Sequence, residues 1–554
     1  MNRSSRLLSL ALALFLLGGC AANRAGRSTG RAGQERTAVL LAVNDVYRIE
    51  GVDGGTAGGI ARLRTLREEL ERRHPDLLLL HAGDFLFPSF QSRMFNGEQM
   101  IDVLNLADGA AAGFDERMFA VFGNHEFEKD KKKDAPMLDQ RIEESQFCWL
   151  GGNVTFAAGE DGQPMVAADN LARSFLVESG GIRIGIFGVT VDSKKPEYVT
   201  AIADPIATAR ELTADLRSRG AEVVVALTHL NAKDDRRLLE ELGGAGPDLI
   251  IGGHDHEHMA VDAGGRWVLK ADADARTATV ATLTLSPAGR LTVRHELREL
   301  EGDSLRPDPQ VQARVEEWLD KHEKLFCEKA GDQPGCLEQV LGHSQVRLDA
   351  EENKIRGSET NLGDWVADRM LAAFAECGAQ AAFTNSGSLR LNQDLPPGEI
   401  TRRHVEELFA YPAPLHLLRI DGSTLQKAVD HTVQYWPGSG SWLQVAGMAY
   451  THDQDAKAAR NLTLLASGGG RPVDPAESIL VVTNDYLVNP QAGDQDGYTM
   501  LQPSQIVKDC AADGKDLKDL VIQDLKAAEP QGIAPAAEGR ICQGEGKCLA
   551  VSGR

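Results

Sequence analysis

Five short apolar runs each end on a residue able to bind a metal ion, and that recurrence narrows the folds open to this chain. TAVLLAV leads into Asn44-Asp45, DLLLLHA into Gly83-Asp84, and MFAVF into Gly123-Asn124-His125-Glu126. AEVVVAL leads into Thr228-His229, and DLIIG into Gly253-His254-Asp255-His256. Runs of about four to eight residues rich in Val, Leu and Ile are the pattern of strands buried on both faces. In open α/β sheets, functional groups collect just beyond the carboxyl ends of the strands. The pattern therefore predicts five strand ends delivering their polar residues to one crevice.

The residue types explain themselves as a two-cation site. Cations about 3.5–4 Å apart clamp the attacking and leaving oxygens of an in-line displacement. Holding them that close requires a bridging carboxylate, for which Asp84 is the natural candidate. Carboxylate, amide oxygen and imidazole donors suit Zn, Mn or Fe better than Mg alone. A single Gly-Asp or Thr-His says little, because a lone buried histidine is more often a hydrogen-bonded core residue. GNHE and GGHDH, in this order with the two aspartate segments, carry the signal.

The ordered set D…GD…GNHE…TH…GHDH resembles the calcineurin-type metallophosphatases, in the branch shared by 5'-nucleotidases and UDP-sugar hydrolases. The resemblance implies that Asp45, Asp84 and His256 form one metal site, and Asp84, Asn124, His229 and His254 the other. It assigns His125 as the catalytic histidine, oriented by an acidic partner three residues on, here Glu128. It further implies two divalent metal ions: Zn, Mn or a mixed Fe/Zn pair.

One position departs from the pattern. The family's first motif reads D-x-H, whereas this chain has Asp45-Val46-Tyr47. A phenol of pKa about 10 ionises readily only beside a strong Lewis acid. Two readings follow. Either Tyr47 joins a site that binds its metal weakly or prefers a harder ion such as ferric iron, or it packs beside an intact three-ligand site.

The first nineteen residues carry Arg3 and Arg6, then the apolar stretch LLSLALALFLL, then small residues. This is the layout of a secretory signal, too short for a stable membrane span. Leu17-Gly18-Gly19-Cys20 resembles a bacterial lipobox, which implies cleavage before Cys20 and lipidation of its sulfur. Ala21 at the next position resembles lipoproteins passed to the outer membrane. The segment 20–36 is then a flexible tether, since its Gly, Ser and Arg content cannot build a core. The expected setting is an exported lipoprotein of the bacterial outer membrane and periplasm. The membrane would be touched only through that lipid.

Composition agrees with a well-packed soluble body, with 42% hydrophobic residues. The formal net charge of −22 repels polyanions, which argues against a nucleic-acid polymer as partner. It also opposes small anionic substrates, so metals and local basic groups must overcome it. The run Lys129-Asp130-Lys131-Lys132-Lys133 either draws in phosphate or forms a solvated surface loop. In an oxidising compartment, Cys327/Cys336 and Cys542/Cys548 are the close cysteine pairs suited to disulfides.

Strand and helix windows alternate through 37–300, with GIARLRTLREELERRHP and PIATARELTADLRSRG as helices. The fold class expected is α/β: a four-layer metallophosphatase sheet sandwich over 37–300, joined by a linking helix in 301–335 to an α+β substrate-binding domain over 336–545.

That second domain contains Gly-punctuated segments with Arg, Asn, Asp and aromatic residues, such as FTNSGSLR, FAYPAPLHLLRIDGSTL and NDYLVNPQAGDQDGY. Arginine suits planar contact with phosphate, and aromatic rings stack on nucleobases. Their order resembles the 5'-nucleotidase carboxy-terminal domain. By position, that resemblance assigns Arg356, Asn385 and Arg390 to the phosphate and neighbouring groups. It assigns Tyr411 and Tyr486 to the two faces of the base, and Asp496 to ribose hydroxyls. The implied activity is hydrolysis of nucleoside 5'-monophosphates or related nucleotides by metal-activated water. Alternatives are a UDP-sugar or 2',3'-cyclic nucleotide hydrolase, a thiosulfohydrolase-like esterase, and a nucleotide-binding lipoprotein with a degenerate metal site.

Overall fold

The computed structural model describes residues 34–544 apart from 193–194, 304, 454–456, 467–468 and 493–494, so the signal and lipidation segment lies outside the described residues. Among the described residues, the first sheet runs in the order Leu291–Glu299, Thr277–Leu285, Arg36–Val43, Leu78–His81, Asp115–Val121, Phe147–Leu150 and Leu171–Ala172. A second sheet runs Met259–Asp262, Trp267–Lys270, Leu249–Gly252, Val223–His229, Ile182–Thr190 and Ser174–Ser179.

The apolar runs are continuous because both faces of each strand are buried. Ala38, Leu40 and Ala42 point into the layer between the sheets, with Leu78, Leu80, Ile184, Val225 and Ile251. The alternating Val39, Leu41 and Val43 pack instead on the helical side, with Ile60, Leu63 and Leu66. Helices Pro205–Ser218 and Ala232–Leu242 cover the second sheet through Leu212, Leu216, Leu238 and Leu239. The result is a four-layer helix–sheet–sheet–helix stack. Leu40 to Val43 lie parallel to Leu78 to His81, and Val225 to Thr228 parallel to Leu249 to Gly252. Parallel neighbours end on the same edge, which brings the ligand-bearing loops together.

The linking helix is Pro309–Ala330. Asp308 caps it by accepting from the backbone of Gln310 and Val311, and Gly331 ends it in a left-handed conformation. Beyond it, strands Leu415–Asp421, Ser478–Asn484, Ala381–Asn385 and Leu443–Ala446 form a mixed sheet. Helices Asn361–Ala373 and Leu517–Ala527 cover one face of that sheet, and Gly422–Gln434 covers the other.

The expected disulfide Cys327–Cys336 is present, joining the last turn of the linking helix to a residue nine positions further on. Cys377–Cys510 spans 133 residues, and no spacing in the sequence announced it. Cys542 is also disulfide-bonded, while Cys548 lies outside the described residues. Closing so long a loop restricts the unfolded chain strongly. The double variant Cys377→Ser/Cys510→Ser should lose about 2–4 kcal/mol of stability in chemical denaturation. An unchanged denaturation midpoint would contradict this.

Candidate metal centre

Three of the five ligand-bearing segments leave their strands through an unusual backbone turn. Asp45, Asp84, His254 and His256 all have positive φ, at 52°, 56°, 83° and 62°. Residues with a Cβ pay on the order of 1–3 kcal/mol for such conformations, and they persist where surrounding contacts enforce them. Two glycines make the close approach possible. A Cβ at Gly83 would lie 2.7 Å from His229 Nδ1, and one at Gly123 would lie 2.0 Å from Asp84 Oδ1.

Five of the six expected donors, Asp45, Asp84, His229, His254 and His256, lie together. Ligand atoms of Asp84, His229 and His254 lie within 4.8 Å of one another. His229 Nε2 is 3.0 Å from Asp84 Oδ2 and 3.9 Å from Asp45 Oδ1. His256 Nε2 is 3.3 Å from Asp45 Oδ1. His229 Nδ1 donates to the Ala82 carbonyl at 2.7 Å, which turns its Nε2 lone pair toward the carboxylates. Asn124 Oδ1 is buried with no hydrogen-bond partner among the described residues, and His229 Nε2 has the Asp84 and Asp45 carboxylates beside it. An amide oxygen and an imidazole nitrogen beside two buried carboxylates are a donor set that fits a cation.

The electrostatics say the same. Burial opposes ionisation of Asp45 and Asp84, yet neighbouring histidines hold both carboxyls below their ordinary range. Burial also disfavours charge on His229, but Asp84 and Asp45 outweigh it and raise the imidazole to about 9. His254 goes the other way, pushed by burial and the charge of His229 down to about 3. The two buried carboxylates thus hold positive charge close, and a bound cation would take the place of the imidazole protons.

Tyr47 points into this pocket. Its hydroxyl lies 2.9 Å from His256 Nε2 and 3.4 Å from both Asp45 Oδ1 and Asp84 Oδ2. The hydroxyl thus lies against the donor cluster, a placement shared by both readings of Tyr47 that the sequence left open. Burial, with the charges of Asp84 and Asp45, keeps that phenol well above its ordinary pKa in the absence of a cation.

His125 stands at the rim. Its Nδ1 lies 3.0 Å from Glu128 Oε2, and its backbone N–H donates to Asp84 Oδ1 at 2.7 Å. The other oxygen of Glu128 accepts from the Tyr411 hydroxyl at 3.0 Å, a contact that reaches across from the second domain. The lysine run is a surface loop: Lys131, Lys132 and Lys133 are exposed, and Lys131 pairs with Glu197 at 3.4 Å.

On the second domain, strands Ala381–Asn385 and Ser478–Asn484 run parallel and end side by side. Asn385 Nδ2 donates to Asp496 Oδ2 at 2.7 Å, and the Tyr486 hydroxyl to Asp496 Oδ1 at 3.1 Å. Three of the expected recognition residues thus form one cluster. Arg390 Nε donates to the Gly387 carbonyl at 2.6 Å, and Arg356 is paired with Glu352. Arg390 shares a small interdomain cavity with Tyr47, His256, Glu352 and Asn392. Its volume of about 50 Å³ holds a water or two, far short of the roughly 300 Å³ of a small-molecule site. A nucleotide reaching between Arg390 and the donors has to part the domains.

The calcineurin-like phosphoesterase model matches residues 38–258, and the 5'-nucleotidase C-terminal domain model matches residues 340–503. The chain belongs to this two-domain metallophosphatase family. Among its relatives is the 5'-nucleotidase of Rattus norvegicus, 24% identical over 87% of this chain and 85% of that protein. The trifunctional nucleotide phosphoesterase YfkN of Bacillus subtilis is 23% identical over 87% of this chain, which spans 34% of YfkN's length. The 5'-nucleotidase precursor of Thermus thermophilus shares the fold, with a TM-score of 0.73 at 22% identity over 92% of this chain and 100% of that one.

Two supports of this metallophosphatase centre escaped the sequence reading. Glu126 is fully buried, and its carboxylate accepts from the backbone N–H of Asp84, Phe85, Leu86 and Gly123 at 2.6–3.0 Å. The available signal was a charged residue inside the GNHEF turn. Lys270, also buried, donates to the Leu230 and Gly253 carbonyls and pairs with Asp235 and Asp255. It thereby fixes the loop that carries His254 and His256. Glu126→Ala leaves four buried N–H groups without their acceptor, so it should destabilise the domain by at least about 3 kcal/mol. Denaturation of the metal-stripped protein at wild-type stability would refute that role.

Proposed function

We propose that this metal-dependent phosphoesterase hydrolyses nucleoside 5'-monophosphates, or closely related nucleotides, to nucleoside and phosphate. The observation that carries the reading is the meeting of the buried Asp45, Asp84, His229, His254 and His256 close to the His125–Glu128 pair. The relatives named for nucleotide hydrolysis point the same way.

Asp45, Asp84 and His256, with the Tyr47 hydroxyl, would hold one cation. Asp84, Asn124, His229 and His254 would hold the other. When bound, the cations supply Lewis acidity toward phosphoryl oxygens and a nucleophilic water near neutral pH. Zn, Mn or a mixed Fe/Zn pair suits these donors, and a phenol in the set favours the harder ion at that position.

The chain's own groups do the rest. Arg390 and Arg356 offset the phosphate charge against a strongly acidic protein. Tyr411 and Tyr486 offer faces for the base, while Asp496 and Asn385 present polar atoms to ribose hydroxyls. His125, oriented through Nδ1 by Glu128, presents Nε2 to the departing ribose oxygen and supplies its proton. Because Tyr411 touches Glu128, seating the base and orienting the catalytic imidazole occur at one junction.

The disulfides suit an oxidising compartment, which supports the reading of an exported protein. No helix among the described residues is long and apolar enough to cross a membrane. We read Cys20 as the lipidated residue of an outer-membrane lipoprotein. Cys20→Ala should then move the protein from the membrane to the soluble fraction, and persistence in the membrane fraction would refute the anchor.

The activity is tested by phosphate release from AMP, UDP-glucose and 2',3'-cyclic nucleotides, supplied with Zn, Mn or Co, before and after chelation. AMP should be turned over in a chelator-sensitive way, and His125→Ala should lower turnover roughly 10²–10⁴-fold. Near wild-type release from that variant removes His125 from the mechanism. Nucleotide binding without turnover at any metal would make the chain a binding protein with a degenerate centre.

A further inference from the structure

His256 is braced differently from the other site histidines. His229 and His125 are oriented by groups of their own domain, the Ala82 carbonyl and Glu128. The Nδ1 of His256 instead lies 2.5 Å from Glu352 Oε2, on a short helix of the second domain. Its Nε2 faces the Tyr47 hydroxyl and Asp45.

Glu352 is itself held from several sides. It is 9% exposed, and Arg356 pairs with its other carboxylate oxygen. Its backbone N–H donates to Asn392 Oδ1 at 3.1 Å. Asn392 Nδ2 donates to Asp274 Oδ2 at 3.0 Å, and Asp274 Oδ1 accepts from the backbone of Tyr47 at 2.9 Å. These contacts close a ring, Tyr47–Asp274–Asn392–Glu352–His256–Tyr47, which crosses between the domains twice. At one end of the ring is the unusual phenol, and at the other a carboxylate that only the second domain supplies.

We propose that Glu352 is a positioning residue for the first metal site, so that His256 is aimed at a cation only while the two domains are in contact. This rests on reading His256 as a ligand. A carboxylate on Nδ1 fixes the tautomer that leaves Nε2 free as a donor and sets the ring's direction. The consequence is selective. The Asp45–His256 site depends on domain contact, whereas the other site, whose His229 is braced by the Ala82 carbonyl of its own domain, does not. Parting the domains to admit a nucleotide loosens the first site, and closing them over the nucleotide restores it.

Calorimetric titration of Mn²⁺ or Zn²⁺ into the chelator-stripped full-length protein tests this without reference to turnover. Wild type should show two sites. Glu352→Ala should weaken one of them by about 10–100-fold and leave the other unchanged. Glu352→Gln, which keeps an acceptor for Nδ1–H but loses the charge, should fall between, and it carries the test if the alanine variant does not fold. In a His256→Ala background, Glu352→Ala should add no further loss. Two unchanged sites in Glu352→Ala, or equal weakening of both, would overturn the proposal while leaving the esterase reading intact. A wild-type protein that takes up no cation would instead overturn the esterase reading.

Discussion

Two carboxylates buried side by side, Asp45 and Asp84, set the terms for the rest of this molecule. Like charges at such depth are tolerated only if positive charge answers them. Every nearby feature serves that need. Histidines ring the pair, backbone N–H groups of His125 and His254 donate into it, and the Asn44 amide adds another donor. The same side chains form a set of carboxylate and imidazole donors suited to divalent cations.

Such a concentration of polar groups needs rigid support, and the support is drawn from the whole fold. The continuous apolar strands give stiff, parallel ends. Left-handed turns at Asp45, Asp84, His254 and His256 then redirect the chain so that side chains point inward. Glu126 and Lys270 pin those turns from below, and the second domain closes the top through Tyr411 and Glu352. Strain at the ligand loops is offset by burial elsewhere in the sandwich.

Much of this was legible in the sequence, because its causes are local. An apolar run followed by Gly-Asp or Gly-Asn-His-Glu specifies a strand and its terminal loop within a few residues. The layered fold and the meeting of Asp45, Asp84, His229, His254 and His256 follow from such segments. What stayed hidden depends on contacts between distant residues. Nothing near Tyr47 says that its hydroxyl points at His256, 209 residues away. Nothing near Glu352 or Tyr411 marks them as partners of the metal domain, 96 and 283 residues distant. Lys270 resembled an ordinary strand lysine until its pairing with Asp235 and Asp255 was visible. Arg356, legible as a phosphate group's neighbour, turned out to be paired with Glu352 in the closed arrangement.

The central claim is that one carboxylate, Asp84, serves two cations at once. Anomalous diffraction from crystals grown with Mn²⁺ or Zn²⁺ addresses it directly. The account predicts two peaks about 3.5–4 Å apart that share Asp84. One should lie against Asp45, Tyr47 and His256, the other against Asn124, His229 and His254. A single peak, or ions bound elsewhere with Asp84 left bare, would contradict it.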